Sequence, residues 1–271
     1  MSEPGLLYEK RDGIAYITFN RPQVRNAMSP EVFCRLADAW QDYAVDDSLR
    51  VAIITGAGDR AFTAGADLGT FIPLLSGARQ PEDEWDRRLL KDNQISDGAI
   101  LRGEATLYKP IIAAINGFCL GGGTELIQAT DLRIAADHAT FALTEVIRGF
   151  MPAGGSTVRL PRQIPYCKAM EILLLGERMN AQEAYRIGLV NEVVPADQVM
   201  PRAEELARKI AANGPVAVRK IKETVLRSLS VSFEEGFRIE QENAGMVLKT
   251  EDAQEGPRAF MEKRQPKYVG R

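Results

Sequence analysis

The chain has 271 residues, 45% of them apolar and 26% charged, which suits one large domain, or one domain with an appendage, holding its core without disulfides. Its 34 basic and 37 acidic residues leave a formal charge of -3, which argues against a surface built to grip a phosphate backbone. A single histidine, His138, and three scattered cysteines, with no CxxC, HExxH or GxSxG, argue against a His/Cys zinc site or a serine nucleophile elbow.

The opening MSEPGLLYEK is polar and acidic, unlike a secretory or transit peptide. Gly13 precedes the strand-like run Ile14 to Phe19, which ends at the turn signal Asn20-Arg21-Pro22. Ser29-Pro30-Glu31 reads as a helix N-cap, first-turn proline and dipole-favoured acid, followed by Phe33, Leu36, Ala37, Trp40 and Tyr43 on one face. Val51 to Thr55, Ile111 to Asn116 and Leu132 to Ala136 are short continuous apolar runs, as in buried parallel strands. Strands separated by helices predict crossover units rather than hairpins. Gly69 to Gly103 carries SGARQPEDEWDRR and predicts a mobile loop, then a helix from about Glu82.

Beyond Pro195 the pattern turns helical: Pro201 to Asn213, Val216 to Leu229, Phe233 to Leu248 and Glu251 to Arg264, with Asn213-Gly214-Pro215 as a stop. This divides the chain into a core, 1–195, and a helical region, 196–271. The longest apolar stretch, Ile111 to Leu120, contains Asn116 and Gly117 and falls far short of the ~20 residues that span a bilayer. Unpaired Cys34, Cys119 and Cys167 suit a reducing cytosol, so a cytoplasmic location is expected.

Three glycine-bearing segments bear on function. Gly56-Ala57-Gly58-Asp59-Arg60-Ala61 fits a dinucleotide fingerprint, but Phe62-Thr63-Ala64-Gly65 does not open a helix and no acid follows at a second strand end. Ala64-Gly65-Ala66-Asp67-Leu68 and Gly121-Gly122-Gly123-Thr124-Glu125-Leu126 are better candidates. Small residues let the backbone approach a ligand, and a helix start offers unpaired N–H groups. Two such groups meeting at one oxygen would form an oxyanion hole, although each segment also reads as a plain tight turn. With one histidine, acid-base chemistry falls to carboxylates. Glu125 stands in a helical first turn, where an acid is favoured regardless of function. Glu145 lies in Ala142-Leu143-Thr144-Glu145-Val146-Ile147, where apolar neighbours predict burial and a raised pKa.

The segments IAYITFNRPQVRNAMS, AFTAGADL, KPIIAAINGFCLGGGTELIQATDLRIA, FALTEVIRGFMPAGGSTVRL and MNAQEAYRIGLVNEVVP, with the tail FMEKRQPKY, resemble the crotonase (enoyl-CoA hydratase/isomerase) family across nearly the whole chain. The resemblance implies an α/β spiral of ββα turns with a C-terminal helical trimerisation region. It further implies an acyl-CoA thioester as substrate and assembly as a trimer or dimer of trimers, without nucleic acid or membrane as partner. It places the oxyanion-hole N–H groups on Ala66 and Gly122, the catalytic glutamates on Glu125 and Glu145, and contacts to the substrate on Arg25, Ala64, Asp67, Leu68 and Lys263. Hydration of a 2-enoyl-CoA is the implied reaction, with no metal or redox cofactor, coenzyme A being part of the substrate. The alternatives are a double-bond isomerase or a specialised acyl-CoA dehydratase of the same family, and, more distantly, an RNA-binding member. Two features depart from the pattern: Gly69 replaces a lysine frequent after the AGAD motif, and Ala153-Gly154-Gly155-Ser156 replaces a run richer in glycine.

Overall fold

A computed structural model describes residues 3–102 and 107–271. The chain begins with a hairpin: β1 (Leu6–Arg11) pairs antiparallel with β2 (Ile14–Phe19). Asp12 and Gly13 both have positive φ, 52° and 74°, as a two-residue turn matched to strand twist requires. This strand is absent from the sequence reading because Glu9, Lys10 and Arg11 lie exposed on the edge and break the apolar signal.

Thereafter each turn of chain supplies one strand to each of two sheets. Helix α1 (Pro30–Val45) follows β2, and its Ser29 cap accepts the N–H of Val32 as predicted. Next come β3 (Val51–Gly56) and β4 (Ala61–Thr63), then α2 (Phe71–Leu75), α3 (Glu84–Lys91) and α4 (Gln94–Ala99). The segment expected to be loop and one helix thus holds three short helices. Phe71 stacks on Phe33 of α1 at 4.1 Å, so tertiary burial overrides weak local propensity. The next turn is β5 (Ile111–Ile115), β6 (Phe118–Leu120) and α5 (Gly122–Ile127). Then follow β7 (Leu132–Ala136), β8 (Thr140–Ala142), α6 (Ser156–Gln163), α7 (Tyr166–Leu175), β9 (Met179–Asn180), α8 (Ala181–Arg186) and β10 (Glu192–Val194).

The larger sheet has the order β1-β2-β3-β5-β7-β10, parallel from β2 onward, and the smaller the order β4-β6-β8-β9. β5 is fully buried along its length, the behaviour of a parallel strand covered on both faces. Val199, Ala203 and Ala207 of α9 (Val199–Ala211) are buried, and α9 lies on β3, β5 and β7. After α9 the chain enters α10 (Pro215–Ser228). It continues through α11 (Phe233–Val247) and α12 (Glu251–Met261), capped by Ser232 and Thr250. Lys222 of α10 is paired with Asp131 at 2.8 Å and donates to the carbonyl of Lys109. This anchors the helical region at the N-terminal ends of β5 and β7. Among the described residues, no helix is long and apolar enough to cross a membrane.

Candidate active site

Opposite that anchor, beyond the C-terminal ends of the strands, two turns are locked together. The first follows β4. Asn26, buried and at φ 56°, donates to the carbonyls of Ala57 and Ala61 and accepts the N–H of Arg21. Thr63 donates its hydroxyl to the Asn26 carbonyl at 2.6 Å and accepts the N–H of Gly65. Met28 then bridges Ala66, donating to the Gly65 carbonyl and accepting from Asp67 N–H. Because peptide groups alternate along extended chain, the Ala66 N–H is turned away from Met28.

The second turn follows β6. Gly121 has φ 52° and its N–H donates to the Ala142 carbonyl; Gly122 opens α5, with its N–H in the unpaired first turn. A methyl group at Gly65 would stand 3.1 Å from the Gly122 nitrogen, and one at Gly122 would stand 3.8 Å from the Ala66 nitrogen. The two amides predicted as a pair are therefore neighbours, and glycine is required where the turns touch. The dinucleotide-like segment at Gly56 opens no helix: the chain passes directly into β4.

Two carboxylates close the site. Glu125, in the first turn of α5, is 5% exposed, and its Oε1 accepts the N–H of Gly154 at 2.7 Å and of Ser156 at 3.3 Å. Burial pushes its pKa up, while those two donors and the nearby Arg159 cation pull it back. Glu145, half-buried at the start of the 3-10 turn Val146–Arg148, reaches over Gly121: a methyl there would stand 2.9 Å from its Oε1. Its Oε2 is buried without a hydrogen-bond partner among the described residues. Burial, with the Glu125 charge adding to it, pushes the Glu145 pKa up to about 7. Two acids in one site thus have unequal affinity for a proton, the arrangement that divides general base from general acid.

The other predicted residues fall into place unevenly. Ala64 donates to the Arg25 carbonyl at 2.9 Å, and the exposed Arg25 side chain stands over the Phe118 ring. Asp67 is engaged by Arg21 at 2.8 Å and by the N–H of Gly69, so its carboxylate holds the turn. Burial opposes these contacts, yet together they keep its pKa below the usual range. Leu68 is exposed. Lys263 stands exposed on the left-handed turn after α12, and none of its hydrogen bonds joins it to Glu125 or Glu145. His138 is a surface residue, 3.3 Å from the Asp59 carbonyl. Among the described residues no three His, Cys, Asp or Glu side chains gather as cation ligands would. Sequence reasoning marked Gly154 and Ser156 only as part of a run that departs from the family pattern, and it missed Asn26, Arg21 and Arg159. The first two act through backbone N–H groups, which leave no residue-type signal.

The profile of the enoyl-CoA hydratase/isomerase family matches residues 9–271. The chain is 40% identical to enoyl-CoA hydratase EchA19 of Mycobacterium tuberculosis, covering 100% of this chain and 98% of that one. It is 38% identical to a carnitinyl-CoA dehydratase of Proteus mirabilis, covering 96% and 97%. The crystal structure of an enoyl-CoA hydratase from Bacillus anthracis superposes with a TM-score of 0.88 at 37% identity, over 98% of this chain and 100% of that one. With the paired spiral sheets, the neighbouring Ala66 and Gly122 amides and the two glutamates beside them, these likenesses place the chain in the enoyl-CoA hydratase/isomerase family, with its crotonase fold.

Proposed function

We propose that this protein is a hydratase that adds water across the C2–C3 double bond of a 2-enoyl-CoA thioester, or removes it from the 3-hydroxyacyl-CoA in reverse. The thioester oxygen accepts from the N–H groups of Ala66 and Gly122. Charge grows on that oxygen as C3 is attacked, and in measured oxyanion holes losing one donor costs about 3 to 4 kcal/mol. Glu125, favoured as an anion by Gly154 and Ser156, takes a proton from water, and the water oxygen bonds to C3. Glu145, protonated near neutrality, gives its proton to C2 as the enolate collapses. The elements of water are thereby added, leaving Glu125 protonated and Glu145 ionised until a proton returns from one to the other through solvent. Every proton is handled by a protein carboxylate, and coenzyme A is part of the substrate.

The observation that carries this reading is the unequal environment of the two glutamates, Glu125 held by two N–H donors and Glu145 with a buried oxygen left unpartnered. An isomerase can work with one carboxylate, so two point to water chemistry. Loss of the enoyl-thioester absorbance on mixing with crotonyl-CoA tests it, with an RNA gel shift run beside it. An unchanged absorbance, or a shifted RNA, would count against the proposal. A series of enoyl-CoA thioesters of increasing length reads the acyl limit, for which Ile100, packed against Gly154 beside Glu125, supplies an apolar wall.

We also infer assembly as a trimer or dimer of trimers in the cytoplasm. Phe233, Phe237, Met246 and Leu248 of the α11 region are exposed, Phe233 by 82%. An apolar face of this kind on a slender helical extension calls for a partner.

A further inference from the structure

Arg159, on α6, is a half-buried cation with no carboxylate in hydrogen-bond reach among the described residues, and the mechanism above does not use it. Its Nη2 donates to the carbonyl of Leu101, and its Nη1 makes a long hydrogen bond, 3.5 Å, to the carbonyl of Gly154. Gly154 is the residue whose N–H donates to Glu125. Leu101, just past α4, holds the left-handed conformation at φ 52°, a strained state for a non-glycine residue that its surroundings must enforce. Ile100, its neighbour, packs so closely on Gly154 that a methyl there would meet both Ile100 Cδ1 at 2.6 Å and Glu125 Oε2 at 2.7 Å.

We propose that Arg159 is a positioning residue for the Glu125 carboxylate: its guanidinium ties Gly154, whose N–H donates to Glu125, to the chain that forms the wall beside it. The planar guanidinium holds its donors in one fixed fork on two nitrogens, whereas an ammonium on a flexible stem acts as a point charge. Burial raises the pKa of Glu125, and the same cation, with the N–H groups of Ser156 and Gly154, pulls it back down. The charged groups concerned are Glu145 from the turn after β8, Arg159 from α6 and Arg102 beyond α4, the last repelling Arg159.

This inference rests on the reading of Glu125 as the base, and two arms separate the claims. In the first, the carboxylate band of Glu125, assigned in infrared difference spectra with Glu125→Gln, is titrated in the parent protein, Arg159→Gln and Arg159→Lys. Removing an opposite charge raises a carboxyl pKa, so the midpoint moves up in Arg159→Gln. In Arg159→Lys it moves in the same direction by less, and this variant decides the matter where the glutamine variant does not fold. In the second arm, the acidic limb of the pH profile for crotonyl-CoA hydration moves with the infrared midpoint, while kcat falls about tenfold and KM changes less than twofold. An unmoved Glu125 midpoint in a folded variant overturns the role of Arg159. A moved midpoint with no hydration by the parent protein supports that role and overturns the hydratase reading instead.

Discussion

Gly154→Ala probes the site with a single methyl group. Gly154 does not have positive φ, so alanine fits the backbone and the effect comes from the added atom alone. That atom would stand 2.6 Å from Ile100 Cδ1 and 2.7 Å from Glu125 Oε2, against an ordinary contact of 3.4 Å or more. Each neighbour must therefore yield by about 0.7 Å, and overpacking of this kind costs about 1–3 kcal/mol. In a chain of this order each kcal/mol lowers Tm by about 2–4 °C, so a loss of about 2–12 °C is expected. Ile100 can swing its terminal carbon away, whereas Glu125 is held by Gly154 and Ser156. Displacing a catalytic group by close to 1 Å can cost about 10² in rate. Hydration of crotonyl-CoA should thus fall by about that factor in kcat with little change in KM. Adding Ile100→Val removes Cδ1 and relieves one clash, so Tm recovers while kcat stays low. Recovery of both, or a Gly154→Ala variant within twofold of parental kcat, would refute the claim that this peptide positions the base.

Glu145 makes stability fall as pH rises. Its folded pKa of about 7 exceeds its unfolded value of 4.5, so between these the folded chain holds a proton that the unfolded chain has lost. The stabilisation is complete below pH 4.5 and is lost as pH passes 7, by at most about 3 kcal/mol. Denaturant titrations at pH 5 and pH 8 should show this difference in the parent and not in Glu145→Gln; equal differences would count against it. Lys263→Ala is expected to raise KM at low salt with kcat nearly unchanged, since an exposed ammonium near phosphate acts as a screened point charge; equal KM values at low salt would reject a contact with coenzyme A. Sedimentation at micromolar concentration should show a multiple of the 29.9 kDa chain, reduced by Phe233→Glu with Phe237→Glu, and a stable parental monomer would contradict the assembly.

Local and repetitive features were legible in the sequence. The Ser29 cap, the buried runs at Val51, Ile111 and Leu132 and the four C-terminal helices appear close to where periodicity places them. What it left out was decided between segments. β1 is an edge strand whose charged half faces solvent, and α2 and α3 owe their order to packing and to the Asp83 cap, which accepts the Asp86 N–H at 2.9 Å. Glu125 and Glu145 were visible as residues, while their different proton affinities come from the N–H groups of Gly154 and Ser156, donors that any residue but proline could supply.

The proposed hydration requires Glu125 and Glu145 to act as one unit on a single water. The most direct test is kcat for crotonyl-CoA hydration in Glu125→Gln, Glu145→Gln and the double variant, at saturating substrate. Glutamine keeps the shape of each side chain but cannot exchange the proton, and acid-base transfer supplies about 10² to 10⁴ in rate. Each single variant should therefore lose about that much. The double variant should be only slightly worse than the poorer single one, because groups acting on one water are not additive. A single variant that keeps more than about half of the parental rate, or two losses that multiply, would contradict the account.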